Sequence, residues 1–87
     1  MRVAILGLGY VGTVCGVCFA TAGHQVVGVD VNSVKVDLIN NGRSPIVEPD
    51  LDTLLAGAVE SGALRATTDT TAAVRDAEIT LVCVGTP

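Results

Sequence analysis

Three glycines close to the amino terminus have the spacing of a phosphate-binding turn. Gly7, Gly9 and Gly12 follow directly after the short apolar run of residues 3–6. At such a junction the first glycine permits the tight turn, the second lets the backbone approach a pyrophosphate, and the third lets the next helix pack close to the strand. That helix would direct its free N–H groups and the positive end of its dipole at the phosphates. The spacing therefore predicts a dinucleotide site, which the rest of the chain must support, because three glycines alone are a weak signal.

An acidic residue stands where a dinucleotide site would need one. Asp30 follows a predicted strand over residues 25–29 and lies eighteen residues after Gly12. This is close to the roughly 20-residue offset at which a carboxylate accepts hydrogen bonds from an adenosine ribose. A carboxylate there would repel a 2′-phosphate, so NAD is favoured over NADP. The alternative is that Asp30 caps the second helix. Lys35 could reach the same ribose, but its spacing alone is better explained as that of a solvated helix-face lysine.

The other reactive residue types are interpreted as structural. Cys15 and Cys18 form a C-x-x-C pair on the predicted apolar stripe of the first helix, and Cys83 falls on a strand expected to be buried. With no second ligand pair, core packing is favoured over redox or metal chemistry. His24, the only histidine, lies in a predicted turn. No acidic pair suits acid/base work, so we predict no catalytic residue and no metal site.

Strands and helices alternate along the chain and would position these residues. The predicted strands cover residues 3–6, 25–29, 64–68 and 79–84. The first predicted helix covers residues 10–22, the second begins at Asn32 or Ser33 and continues to Asn40, the third has Pro49 in its first turn and is closed by Gly62, and a brief fourth helix follows an N-cap at Asp69 and ends at Arg75. This order predicts right-handed crossovers and a parallel α/β sheet, a partial, doubly wound Rossmann fold with strand order 3-2-1-4 that ends after the fourth strand. Ligands bind where the strand order reverses, so the glycine turn and residues 85–87 would lie at the mouth of the site.

Two predicted helices carry apolar residues at helical spacing, which predicts that these residues face the core. In the first helix they are Val11, Val14, Cys15, Cys18, Phe19 and Ala22. In the third they are Leu51, Leu54, Leu55, Ala58 and Val59. Pro49 suits the first turn of that third helix, and Gly57 inside it should cost about 1 kcal/mol relative to alanine.

Composition excludes several classes of function. The chain has 87 residues, a net charge of −4 and a mean hydropathy of +0.60. Its five basic residues are scattered along the sequence and predict no basic patch, so a nucleic-acid partner is not expected. No apolar run reaches the ~18 residues of a membrane span. No signal peptide is recognised and the cysteine number is odd, so we expect a cytoplasmic protein.

The sequence resembles the amino-terminal part of the UDP-glucose and GDP-mannose dehydrogenase family of nucleotide-sugar 6-dehydrogenases. The resemblance extends over the whole chain and rests on residues 7–12 (GLGYVG), 28–30 (GVD), 44–49 (SPIVEP) and 82–87 (VCVGTP). Val47 before Glu48 and the spacing of Cys15 and Cys18 are most similar to the GDP-mannose branch, with the UDP-glucose branch as the alternative. Asp50 stands where the family commonly has glycine.

The resemblance implies an oxidoreductase that oxidises the C6 hydroxyl of a nucleotide sugar to the carboxylate with two molecules of NAD in succession, as a homo-oligomer when full length. It implies backbone contacts to the pyrophosphate at Tyr10 and Val11, ribose contacts at Asp30 and Lys35, and a contact at Thr86. The predicted cofactor-binding residues are therefore Gly7, Gly9, Tyr10, Val11, Gly12, Asp30, Lys35 and Thr86.

The family's catalytic cysteine and its partners come from later sequence. We therefore expect residues 1–87 to be the amino-terminal part of an NAD-binding Rossmann domain, without the substrate and carboxyl-terminal domains. A second class of function also agrees with the sequence. A non-catalytic NAD-sensing regulatory domain would share the glycine turn and Asp30, but it has no need of the segment 44–49.

Overall fold

In residues 1–84, which the computed structural model describes, four strands and four helices follow one another in the predicted order. Their bounds are β1 Arg2–Leu6, α1 Tyr10–Thr21, β2 Gln25–Val29, α2 Ser33–Asn40, α3 Leu51–Glu60, β3 Leu64–Thr67, α4 Thr70–Asp76 and β4 Ile79–Val82. The sheet has the order β3-β2-β1-β4 and all its pairings are parallel. The α/β class and the Rossmann strand order predicted from the sequence are therefore confirmed. The strand β4 ends two residues earlier than predicted.

Helices pack on both faces of the sheet, although the edge strand β4 stays partly exposed, with Ile79 45% and Val82 68% exposed. Val3 and Ile5 of β1 belong to the larger core cluster, which α1, α2 and α3 complete. Ala4, between them, points to the opposite face and packs with Val29 and with Ala73 of α4. Because side chains alternate between the faces, covering both makes the strands almost continuously apolar. Within the described part of the chain, no helix has both the length and the apolar character needed to cross a bilayer.

Helix α1 buries small residues and Val17 against the core. Of the predicted stripe, Val11 and Cys18 are exposed, whereas Val14, Cys15 and Phe19 are half-buried against the core. The prediction of the buried face was therefore wrong at Val11 and Cys18 and correct in part at the three half-buried residues. The helix is apolar on almost every side, so the spacing of its large residues cannot identify the side that packs. The residues of α1 that are buried are Gly12, Thr13, Gly16, Val17 and Ala20.

The three cysteines are free thiols in environments that differ in exposure. Cys15 and Cys83 are half-buried, whereas Cys18 is exposed, so the core position predicted for Cys18 was wrong. Burial raises the pKa of the Cys15 thiol, and the neighbouring thiols Cys83 and Cys18 raise it further. A thiol with a raised pKa stays protonated at neutral pH and is a poor nucleophile, so Cys15 is suited to packing rather than to chemistry.

Helix α3 begins after a reversal of the chain at Asp50, so the prediction that Pro49 lies in its first turn was wrong. Asp50 has a φ of 66° in the left-handed region and precedes the first helical residue, Leu51. The N–H of Leu51 donates to the carbonyl oxygen of Glu48 at 3.2 Å, which closes the turn. Leu54, predicted to face the core, is 50% exposed. The family that the sequence resembles commonly has glycine at the position of Asp50. Glycine adopts the left-handed conformation at no steric cost.

Replacing Asp50 by glycine is expected to raise the free energy of unfolding by about 0.5–1 kcal/mol, because the left-handed conformation then carries no steric cost. Little is lost in exchange, since the Asp50 side chain makes no capping hydrogen bond. Asp50→Ala is expected to lower the free energy of unfolding by a similar amount. Urea denaturation of the two variants beside the parent measures both effects, and equal stabilities for them would contradict the prediction.

Candidate functional site

In the turn between β1 and α1, backbone contacts leave no room for a side chain at the first and third glycines. Gly7 has a φ of +104°, and a Cβ atom there would lie 2.9 Å from the carbonyl oxygen of Cys83. A Cβ atom on Gly12 would lie 1.8 Å from the carbonyl oxygen of Gly7. The first and third glycines are therefore required by the fold itself, as the spacing predicted for a strand and helix in close contact.

Gly9, the second glycine, has no close neighbour among residues 1–84. It is the N-cap residue of α1, and a Cβ atom on it would meet no atom of these residues within 4 Å. In the same part of the chain no side chain caps α1, although the side chains of Asn32 and Asp69 cap α2 and α4. The first N–H groups of α1 are therefore available to an external acceptor, and the positive end of the helix dipole favours a negative one. The glycine turn thus combines an uncapped helix with room for close approach.

Asp30 ties the glycine turn to the end of β2. Its Oδ2 accepts a hydrogen bond from the N–H of Leu8 at 2.9 Å, and its Oδ1 accepts one from the N–H of Asn32 at 2.9 Å. Asp30 does not cap α2, because the Asn32 side chain accepts from the N–H groups of Val34 and Lys35 instead. The capping alternative for Asp30 was therefore wrong. Each carboxylate oxygen has further lone pairs, so Asp30 can hold the turn and still accept from a ligand.

The Asp30 carboxylate is held in its charged form. Partial burial raises its pKa, but backbone hydrogen bonds from Asn32 and Leu8, the charge of Lys35 and a backbone hydrogen bond from Val31 lower it, and the net shift is downward. Lys35, whose charge is one of these causes, is half-buried in the first turn of α2. A carboxylate at the end of β2 can accept hydrogen bonds from sugar hydroxyls, and its negative charge repels an added phosphate.

A cavity of about 270 Å³ opens beside Asp30, on the face of the sheet that carries α4. Its walls are mostly apolar, and they include Val31, which is 93% exposed. A small, largely apolar hollow with a carboxylate at its rim suits a flat ring joined to a sugar. The residues of this cavity other than Gly7 and Asp30 were missed by the sequence analysis. They come from the ends of β1, β2 and β4 and from the start of α4, and they are Leu6, Val29, Val31, Thr70 and Val84.

Tyr10 connects the glycine turn to the extended segment before α3. Its hydroxyl donates to Oε2 of Glu48 at 3.3 Å, and the Glu48 charge and this hydrogen bond raise the Tyr10 pKa. The ring remains 58% exposed. Glu48 was not among the predicted site residues, and the two residues are 38 positions apart in the sequence. Glu48 of segment 44–49 therefore lies within hydrogen-bonding distance of the first residue of α1.

Most of the predicted site residues lie in one region of the molecule. The three glycines, Tyr10 and Val11 form the turn and the first residues of α1, and Asp30 is bonded to that turn. Thr86 falls outside the described residues. No group of three or more His, Cys, Asp or Glu side chains within residues 1–84 is placed to hold a metal ion.

Comparison with known proteins identifies the family. The model of the UDP-glucose/GDP-mannose dehydrogenase family, NAD binding domain, matches residues 1–87. The chain belongs to this family. GDP-mannose 6-dehydrogenase of Pseudomonas syringae pv. syringae is 56% identical over 87 residues, which are 100% of this chain and 20% of that protein. UDP-glucose 6-dehydrogenase of Rhizobium meliloti (strain 1021) is 46% identical over the same share of each.

Solved structures of the UDP-glucose/GDP-mannose dehydrogenase family have the same fold. A ternary complex of GDP-mannose dehydrogenase from Pseudomonas aeruginosa superimposes with a TM-score of 0.98 and 55% identity, and covers 100% of this chain and 20% of its own. A UDP-glucose dehydrogenase from Pyrobaculum islandicum gives a TM-score of 0.94 and 44% identity, covering 99% of this chain and 20% of its own. The chain thus spans about a fifth of the length of the relatives that it matches, in the part that the family model names for NAD.

Proposed function

We propose that residues 1–87 hold NAD as the amino-terminal part of a nucleotide-sugar 6-dehydrogenase that oxidises the C6 hydroxyl of GDP-mannose to the carboxylate of GDP-mannuronate. The observation that carries the proposal is the uncapped start of α1 behind Gly9, with the Asp30 carboxylate bonded to the same turn at the N–H of Leu8. An anion-accepting helix end and a sugar-accepting carboxylate on one turn are the two functions that a dinucleotide requires of its protein.

The described residues fit this cofactor on structural grounds. A Cβ atom on Gly9 would lie more than 4 Å from every atom of residues 1–84, so the backbone there can come close to a ligand. We assign the free N–H groups of Tyr10 and Val11 to the pyrophosphate, and Asp30 with Lys35 to the adenosine ribose. The cavity beside Asp30 would take the adenine ring. Thr86 completes the proposed set. NAD supplies the hydride acceptor when bound.

The roles of the chain's own groups in the reaction are binding and orientation. The fixed backbone of the glycine turn would hold the cofactor in one place without movement of side chains. Asp30 would fix the position of the cofactor's adenosine ribose along the sheet edge, and its charge would exclude a 2′-phosphate. Positioning of this kind supplies a large part of enzymatic rate enhancement when both reactants are held in line. The groups that touch the sugar would come from other parts of the enzyme.

GDP-mannose is proposed as the substrate because relatives named for it are 55–56% identical to this chain, whereas the relative named UDP-glucose 6-dehydrogenase of Rhizobium meliloti is 46% identical. UDP-glucose is the second candidate. We propose a homo-oligomer for the full-length enzyme, which its mass in solution by light scattering tests. A cytoplasmic location agrees with three free thiols, which are typical of a reducing compartment.

The test is turnover of the complete polypeptide with each nucleotide sugar. We expect GDP-mannose with NAD to give two molecules of NADH per sugar. The absorbance of the reduced nicotinamide at about 340 nm follows their formation. UDP-glucose and NADP are expected to give rates at least about tenfold lower. Saturable NAD binding without turnover of either sugar would instead favour an NAD-sensing regulatory domain. Faster turnover of UDP-glucose would move the enzyme to the other branch of the family.

A further inference from the structure

A second cavity, of about 440 Å³, lies at the opposite end of the sheet from the glycine turn. Its walls include Arg2 and Gln25, the first residues of β1 and β2, which are paired with each other. Its other side is formed by the carboxyl-terminal end of α4, including Arg75 and Asp76. Because the amino ends of parallel strands share one edge, this cavity is separate from the region of Asp30. It shares no lining residue with the cavity beside Asp30.

Basic residues are concentrated in this cavity. Arg2, Arg65 and Arg75 line it and are three of the chain's four arginines, although the whole chain has a net charge of −4. In the sequence they are scattered, which predicted no basic patch. The fold brings the three arginines to one cavity. The prediction that the chain has no basic patch was therefore wrong. Asp76 is the one carboxylate among the residues that line the cavity.

The three arginines are not equivalent. Arg2 is used by the fold, because its Nε donates to the carbonyl oxygen of Asp76 at 2.8 Å and its guanidinium lies 3.8 Å from Glu78. In residues 1–84, Arg65 and Arg75 form no ion pair and their guanidinium groups donate no hydrogen bond to protein. Arg65 comes from the sheet, where its Cα pairs with Val27, and Arg75 comes from the last turn of α4. Arg65 and Arg75, both exposed, therefore line one concave space from two different elements.

Each of these arginines has an ordinary explanation when taken alone. A charge on the edge strand β3 discourages pairing with another sheet, and a cation in the last turn of α4 complements the helix dipole. Neither explanation requires the two to line the same hollow together with Gln25, a neutral hydrogen-bonding group. Arg65 and Arg75 line one cavity in a chain whose net charge is negative, and a bound anion would explain this arrangement.

We propose that this cavity binds a small phosphorylated anion, a phosphate monoester or diphosphate, at a site distinct from the cofactor. Guanidinium groups bind phosphate oxygens through paired, charge-assisted hydrogen bonds. The volume lies in the range of small-molecule sites, which are about 300–1,000 Å³, and a cavity bounded by strand ends and one short helix offers no long groove for an extended peptide. Arg65 and Arg75 bind the anion, and Arg2 fixes the end of α4 that carries Arg75.

The experiment titrates inorganic pyrophosphate into the complete polypeptide by calorimetry at low ionic strength, with NAD present at saturation. Arg65→Gln and Arg75→Gln are compared with Arg43→Gln, which removes an exposed arginine away from the cavity. We expect the parent and Arg43→Gln to bind alike, and each cavity variant to weaken binding at least about tenfold, because each removes a charge-assisted contact. Added salt should weaken the arginine-dependent binding.

Circular dichroism and the Kd for NAD, both expected to be unchanged in all three variants, separate a lost site from a damaged fold. Pyrophosphate binding that is absent, or equal in the Arg65, Arg75 and Arg43 variants, would overturn the proposal. So would an acidic glutamate peptide that binds with this arginine dependence while pyrophosphate does not, since the occupant would then be a polypeptide. Failure to bind NAD would count against the proposed function only, because the arginine-dependent difference is measurable without NAD.

Discussion

Replacing Gly12 by alanine is expected to lower the free energy of unfolding by about 3 kcal/mol or more and to abolish measurable NAD binding. The added methyl group would lie 1.8 Å from the carbonyl oxygen of Gly7, which is a backbone atom and cannot rotate away. The start of α1 must then move off β1, at a cost at the upper end of that for overpacked sites. Such a movement also displaces the N–H groups proposed to bind the pyrophosphate. Urea denaturation and calorimetry with NAD measure the two effects.

The same chemical change at two other glycines provides the controls. Gly9→Ala places a methyl group where no atom of residues 1–84 lies within 4 Å, so stability should be close to that of the parent while NAD affinity falls at least about tenfold. Gly57→Ala, in the middle of α3 and also without a neighbour within 4 Å, should raise the free energy of unfolding by about 1 kcal/mol and leave NAD affinity unchanged. A stable Gly12→Ala variant, or a Gly9→Ala variant with normal affinity, would contradict this division of roles.

The order of elements and the sheet topology follow from the sequence because they depend on local pattern and on general rules. Short apolar runs separated by helical spacing and ended by glycine predict alternating strands and helices. The right-handed crossover rule then leaves few arrangements, of which 3-2-1-4 is the usual one when a glycine turn follows the first strand. The helix stops at Gly23, Gly42 and Gly62, all of which have positive φ, are of this local kind.

What could not be predicted depends on shape or on distant residues. The buried face of α1 is set by Gly12, Gly16 and Ala20, because only small residues let this helix approach the sheet closely. Large side chains dominate a periodicity count, so they indicated a face of α1 that is only partly buried. At Asp50 a left-handed residue precedes α3, and an aspartate gives no local signal for this conformation comparable to that of glycine.

The site was predicted in its parts but not in its connections. The glycine spacing and the position of Asp30 identified the turn and the carboxylate. The bond from Leu8 to Asp30 and the contact of Tyr10 with Glu48 join residues 22 and 38 positions apart, and no spacing rule describes them. They exist because the sheet order brings the ends of β1 and β2 together and because segment 44–49 returns to the start of α1. Contacts of this kind require the fold first.

Asp30→Asn is expected to weaken NAD binding by about tenfold to a hundredfold and to shift the preference for NAD over NADP toward NADP by at least about tenfold. Asparagine has nearly the same size but no charge, so the repulsion of a 2′-phosphate is lost. Its amide nitrogen cannot accept a hydrogen bond, so either the N–H of Leu8 or that of Asn32 loses its partner. Fluorescence titration with both cofactors measures the change, and Asp37→Asn, on the exposed side of α2, is the matched control.

The loss of a backbone bond makes this substitution a test of the fold as well, so affinity alone is not decisive. We expect the free energy of unfolding of Asp30→Asn to fall by about 1–2 kcal/mol at neutral pH. The ratio of the NADP and NAD dissociation constants separates the two effects, because a displaced turn weakens both cofactors alike whereas a lost charge favours only NADP. An unchanged ratio would mean that Asp30 does not discriminate between NAD and NADP and serves only to hold the glycine turn.

The pH dependence of stability tests independently whether the charge of the Asp30 carboxylate stabilises the folded chain. Its pKa in the folded chain is lowered relative to an ordinary aspartate, so the folded state binds its proton less readily than the unfolded state does. The resulting stabilisation is complete above about pH 4, near the unfolded pKa, and is lost as the pH falls toward the folded pKa. The stability difference between the parent and Asp30→Asn should therefore be constant from pH 8 to about pH 5 and shrink below about pH 4. A difference that persisted undiminished at pH 2.5 would mean that the charge of Asp30 does not hold the turn, and that the shape of its side chain does.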